Sequence, residues 1–270
     1  AINIAFPVVS LMQSLGTGIG MGGSVLWTVK KASGSEEAAG KYVRGTLLLL
    51  LLVSVATTAG IYFVTEPILR LFGAEGEILI LGKDYLDVIV VGAAFHIFAT
   101  GIVPIIRNNG SSLFALVVMV SGFLTNILLD YLMVWVFDMG TQGAALATVL
   151  GQLVTTVAAL FYLIYRKLPL LGSLPGFGPM SWNIFRIGIA PFGLTLSPMI
   201  SLMLFNRFSM MHGKEAAVAC YACIAYVLSV VQMLMQGVGD GSQPLMSRYY
   251  GEGKREEVRK VQNIAYISAV

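Results

Sequence analysis

Charge is what this sequence has least of. Of 270 residues only 11% are Asp, Glu, Lys or Arg, against 57% hydrophobic, and the mean hydropathy is +0.81. A soluble domain of this length carries about 25% charged residues, so that class is excluded and an all-α integral membrane protein is implied. Two cysteines and two histidines are too few for a disulfide framework or a Cys/His metal cluster. Cys220 and Cys223 form a single C-x-x-C inside an apolar stretch and read as packing residues. A phosphate loop is absent too: Gly18, Gly20 and Gly22 are followed by no Lys-Ser/Thr pair, which rules out nucleotide binding at that ladder. No enzymatic chemistry, cofactor or nucleic-acid partner is expected.

Seven runs are nearly free of charge and long enough for the roughly 20 residues that cross hydrocarbon. They cover about 2–29, 45–65, 85–106, 112–137, 143–165, 187–206 and 216–247, and an eighth begins near Ile264. Loops after the first, third, fifth and seventh runs hold Lys30, Lys31, Lys41, Arg44, Arg107, Arg166, Lys167, Arg186, Arg248, Lys254, Arg255, Arg259 and Lys260, thirteen of the 17 basic residues. Arg70, Lys83, Arg207 and Lys214 remain for the other side, so the thirteen are cytoplasmic by the positive-inside rule.

The first and seventh runs repeat each other. Val8–Lys41 and Val227–Lys260, offset by 219 residues without a gap, match at Ser10/Ser229, Gln13/Gln232, Leu15/Leu234, Gly18/Gly237, Gly20/Gly239, Gly22/Gly241, Gly34/Gly253, Glu37/Glu256 and Lys41/Lys260. Six crossings separate the copies, so they run the same way, as in parallel-repeat transporters. A six-helix repeat requires at least twelve spans. One helix before Ala1 and four or five after Val270 are therefore expected in the full protein. The expected division is an amino-terminal lobe at 1–165, a Pro/Gly-rich cytoplasmic linker at 166–183, and the first part of a second lobe at 184–270. Pro7, Pro104, Pro191 and Pro198 mark places for a kink.

The chemistry concentrates in the fourth run. Asp130 lies about 12 Å from the outer end of its helix, where an ionised carboxylate is costly and is normally protonated, ion-bound or beside water. Asn126, one turn earlier, shares its face. Together they can hold a proton or supply oxygens to a small hard cation such as Na⁺, or they can form an interhelical hydrogen-bonded pair. His96 is a lone mid-span histidine suited to packing, Asp87 is near enough to a helix end to be hydrated, and Asp240 suits a cap or an interface. Met199, Met203, Met210, Met211, Met233 and Met235 offer a soft wall for apolar substrates. Met199 and Met203, with Gln13, Gln152 and Gln232, are the candidates for a substrate cavity.

These residues resemble the multidrug and toxic compound extrusion (MATE) transporters. The carriers are the Gly-x-Gly-x-Gly ladder with its Gly-x-x-Glu loop at 18–37 and 237–256, Arg107-x-x-Gly110, Asn126-x-x-x-Asp130, and Gly140-x-x-Gly143-Ala144-Ala145-x-Ala147-Thr148. The resemblance implies two pseudo-symmetric six-helix bundles, of which this chain would hold helices two to eight and the start of nine. It also implies efflux of amphipathic, often cationic small organic compounds in exchange for H⁺ or Na⁺, by a multi-pass monomer in a prokaryotic plasma membrane and its lipid bilayer. Asn126, Asp130 and Thr148 match the amino-lobe cation or proton site. That site's further aspartate, on the first helix, has no counterpart in this chain. Pro191–Arg207 lacks the glutamate of another branch, which favours amino-lobe coupling. A lipid or lipid-linked oligosaccharide flippase of the same superfamily is the alternative, and a non-transporting receptor or scaffold is a third reading.

Overall fold

Apolar sequence of this length folds as helix, because in hydrocarbon a helix satisfies every backbone donor and acceptor within one segment. The computed structural model is all-α among its described residues, 2–71, 75–170, 172–174 and 176–269, with side chains described except at 2–4, 71, 206, 207, 209–223 and 226. Arg207, Met210, Met211, Lys214, Cys220 and Cys223 therefore lie outside the described side chains.

The helices are α1 (Ile2–Ala32), α2 (Glu36–Leu71), α3 (Gly76–Val91), α4 (Ala93–Asn108), α5 (Ser112–Asp130), a π-helix (Tyr131–Val136), α6 (Gly140–Tyr165), α7 (Phe177–Gly251) and α8 (Arg255–Ala269). Helices α2, α5 with its π extension, α6 and the first part of α7 are each long and apolar enough to cross a membrane. Helices α3 and α4 together make a further span, bent by 56°. The bend corrects the single run expected over 85–106, and it falls at Gly92 while α4 continues through Pro104. A Cβ on Gly92 would run into the Val149 side chain of α6, so the bend is wedged against a neighbour that only glycine accommodates.

Helix α7 contains two of the expected runs. Gly188 packs on Gly18 and Gly22 of α1, whereas Gly251 packs on Val29 and Ala32 of the same helix. A straight helix would hold Gly188 and Gly251 about 95 Å apart, twice the roughly 46 Å length of α1, so α7 doubles back into two arms. The first arm is antiparallel to α1: Ile184 lies by Gly22 and Phe192 by Gly18. The second descends parallel to it. Helix α7 also starts at Phe177, inside the segment read as linker, and Leu168, Leu170, Leu174 and Phe177 pack against the core.

The copies of the repeat end alike. After α1, the N–H groups of Ser33, Gly34 and Ser35 donate to the carbonyls of Val29 (3.0 Å), Lys31 (3.1 Å) and Lys30 (3.0 Å). After α7, those of Glu252, Gly253 and Lys254 donate to Arg248 (3.0 Å), Tyr250 (3.1 Å) and Tyr249 (2.9 Å), each bond displaced by the same 219 residues. Gly34 (φ 81°) and Gly253 (φ 75°) occupy the left-handed conformation that closes such a turn.

The ladders themselves differ in surroundings. Gly18, Gly20 and Gly22 are buried where a Cβ would meet Phe192, the Gly101 backbone and the Ile184 carbonyl, whereas a Cβ on Gly237, Gly239 or Gly241 would meet nothing within 4 Å. Around the first ladder lies the core, with Leu50, Leu86, Ile97, Ile102, Ile105 and Ile106 fully buried.

Candidate functional site

Small residues decide how Asn126 and Asp130 are presented. Helices α5 and α6 approach through Gly122 and Gly151: a Cβ on Gly122 would strike Thr155, and one on Gly151 would lie 3.0 Å from the Asn126 Cβ. Such close crossing suits helices in lipid, where dispersion and hydrogen bonds replace the hydrophobic effect between spans. It seats Asn126 directly on α6.

Asp130 is the last residue of α5, and the chain then widens into the π-helix, closed by Phe137 N–H on the Leu132 carbonyl at 2.9 Å. The apolar run predicts an uninterrupted helix through this point. A π segment instead adds a residue to the turn and rotates the succeeding side chains, a distortion often found at functional positions. Asp130 thus stands at the junction of two helical forms.

Asn126 Nδ2 and Asp130 Oδ1 are both buried without a hydrogen-bond partner. Leaving such atoms dry and unpaired costs about 1–3 kcal/mol for a neutral group and more for a charged one. Thr148, on the facing side of α6, donates to the Ala144 carbonyl at 3.0 Å and keeps its oxygen free to accept. Tyr85 of α3 brings its buried phenol against Thr148 and near the Asp130 carboxylate. Tyr85 thus lies between Thr148 and Asp130, and it was not among the residues read from the sequence. Its signal was the stripe Gly82, Tyr85, Leu86, Ile89, Val90, the buried face of α3 at helical spacing.

Carboxylate, amide, hydroxyl and phenol oxygens form a hard donor set suited to a proton or Na⁺. Among the described residues no three His, Cys, Asp or Glu side chains come together for a transition metal.

The expected cavity residues are dispersed. Gln13 is on α1, Gln152 on α6 one turn from Thr148, Met199 and Met203 on the first arm of α7, and Gln232 on the second. None lines either of two clear concavities. One, of about 680 Å³, lies between the outer ends of α2 and α3 and is lined by Tyr62, Glu66, Arg70, Lys83 and Asp87 among others. Asp87 thus faces an open hollow. The other, of about 270 Å³, lies at the inner ends of α5 and α6 around Phe114, Tyr162 and Arg166. His96 is buried in α4, with Nε2 unpartnered, and Asp240 pairs with Arg107.

The MatE family model matches residues 1–132, which contain the first ladder, Arg107-x-x-Gly110 and the Asn126–Asp130 pair. Similarity to solved structures extends further. The MATE multidrug transporter DinF-BH, solved with a bound ligand, superposes with a TM-score of 0.88 at 27% identity over 99% of this chain and 60% of its own. The chain is similar in sequence and in fold to the MATE family. A MOP superfamily transporter from Pyrococcus furiosus gives a TM-score of 0.86 at 25% identity, covering 99% of this chain and 59% of that one. Multidrug export protein MepA of Staphylococcus saprophyticus is 28% identical over 257 residues, 92% of this chain and 55% of that protein. MepA of Staphylococcus aureus is 26% identical over 273 residues, 96% and 58% respectively. The chain spans a little over half the length of the curated relatives it matches. Members of the family are transporters rather than enzymes, and the chain is a multi-pass membrane protein.

Proposed function

We propose that the protein of which this chain forms part exports amphipathic, often cationic compounds from a prokaryotic cell, as a plasma-membrane monomer, in exchange for H⁺ or Na⁺ bound at Asp130. The observation that carries this reading is the pair of buried, unpartnered atoms, Asp130 Oδ1 and Asn126 Nδ2, in an apolar run with no other charge, with Tyr85 near the carboxylate. A proton or cation there satisfies the carboxylate. Coupling results if the ion and the organic substrate favour different states of the molecule, since a ligand of equal affinity for both states shifts neither. Arginine or lysine deep within a span, as a flippase for anionic head groups would need, is not found among the apolar runs.

The test is drug efflux from everted vesicles holding the full-length protein, driven separately by a pH and by a sodium gradient. Asp130→Asn preserves shape and removes the titratable charge. It is expected to abolish gradient-driven efflux while drug still binds. Normal efflux by Asp130→Asn, with unchanged dependence on pH and sodium, would sink the proposal.

A further inference from the structure

At the cytoplasmic end of the molecule, α4 is tied to the second arm of α7 by side chains. Arg107 Nη1 lies 2.8 Å from Asp240 Oδ2, with the two side chains 18% and 30% exposed. The next residue, Asn108, is a hub. Its Nδ2 donates to Gln243 Oε1 (2.9 Å), Ser24 Oγ (3.2 Å) and the Pro104 carbonyl (2.9 Å), and its Oδ1 accepts from Thr28 Oγ1 (2.9 Å) and Gln243 Nε2 (3.3 Å). Gln243 Nε2 donates in addition to Ser247 Oγ at 2.7 Å. The bonds connect α1, α4 and α7, whose partners stand 80 or more residues apart in the chain.

Further along the same arm, Gly251 is pressed on Val29 and Ala32 of α1.

We propose that Arg107–Asp240 and Asn108–Gln243 are the latch of the cytoplasmic gate, holding the second arm of α7 against α4 in the state that is closed inward. The inference rests on the transporter reading. The physical reasons are separability and cost. Among the described residues no backbone–backbone hydrogen bond crosses this contact, so the helices part by exchanging side-chain partners for water. A half-buried ion pair is screened less than a surface pair, so it holds the helices together more firmly until water reaches both charges. The exposed pairs Lys41–Glu37, Arg70–Glu66 and Lys260–Glu257 are different in kind, each joining residues three or four apart on one helix. They cannot hold one helix against another.

The experiment places spin labels at exposed Ser33 and Glu256 in the full-length protein with Cys220 and Cys223 replaced by Ser, and reads distance distributions in lipid nanodiscs. Asp240→Asn and Arg107→Gln are each expected to raise the ratio of long-distance to short-distance populations on the order of tenfold. The exchange Arg107→Asp with Asp240→Arg is expected to return it toward the original value. An unchanged distribution in both single variants, or an exchange no better than the singles, would overturn the latch. Efflux measured with the same variants in sealed vesicles separates the two proposals: a protein that moves no drug under either gradient removes the transport reading, while the distances still report on the contact.

Discussion

At the residue scale, Tyr85 is the side chain that packing brings to the candidate site at Asp130. The phenol is buried against Thr148, so removing its hydroxyl leaves the threonine oxygen with one partner fewer and the carboxylate with one donor fewer nearby. Tyr85→Phe keeps the ring and its packing. It is expected to weaken ion dependence by about tenfold, from the roughly 1–1.5 kcal/mol net worth of a hydrogen bond in such a place, with little change in folded yield. Efflux as a function of sodium or proton concentration in vesicles checks this. An unshifted curve would mean that Tyr85 only fills space. Asp130 and Asn126 were legible in the sequence because a carboxylate in a long apolar run advertises its cost. Tyr85 was not, since tyrosine is ordinary in a span and only tertiary packing turns it toward the site.

At the scale of elements, glycine governs how closely the helices approach. Gly20 of α1 faces Gly101 of α4 with no room for a Cβ, and Leu50 of α2 fills the remaining side of Gly101. Gly20→Val is expected to force α1 and α4 apart and to destabilise the protein by about 1–3 kcal/mol, the usual cost of overfilling a close-packed contact. Thermal unfolding in detergent would show it as a lowered midpoint, and an unchanged midpoint would mean the helices part without penalty. The glycine periodicity is visible in the sequence, but there its two copies look equivalent. The structure packs the first against α4 and the first arm of α7. Other element-level features escape sequence reasoning for a shared reason. The break at Gly92 and the π-helix after Asp130 depend on what α6 presents, and hydropathy counts residues without knowing which of them face Val149 or Met133.

At the scale of the whole molecule, the duplicated helix fixes direction. Both copies end in the same three-bond turn and descend side by side, with Gly251 beside Val29. Single cysteines at Ser33 and at Glu256, in a background lacking Cys220 and Cys223, are therefore expected to react with an impermeant maleimide from the same side of the membrane, the cytoplasmic one. Labelling of one from outside the cell and the other from inside would end the parallel-repeat interpretation. A cysteine at Glu75, between α2 and α3, should label from the opposite side.

Composition and periodicity by themselves determined the solvent, the helical class, the repeat and the position of a carboxylate at odds with hydrocarbon. Each of these is a local or one-dimensional property: transfer cost accumulates residue by residue, and a charge in an apolar run is costly whatever surrounds it. The tertiary structure alone decided that Tyr85 lies near Asp130, where the third span breaks, and that Asp240 meets Arg107. Those outcomes depend on which faces of distant helices are turned together, and that arrangement arises from close packing of side chains across the bundle, which no single segment carries in its own sequence.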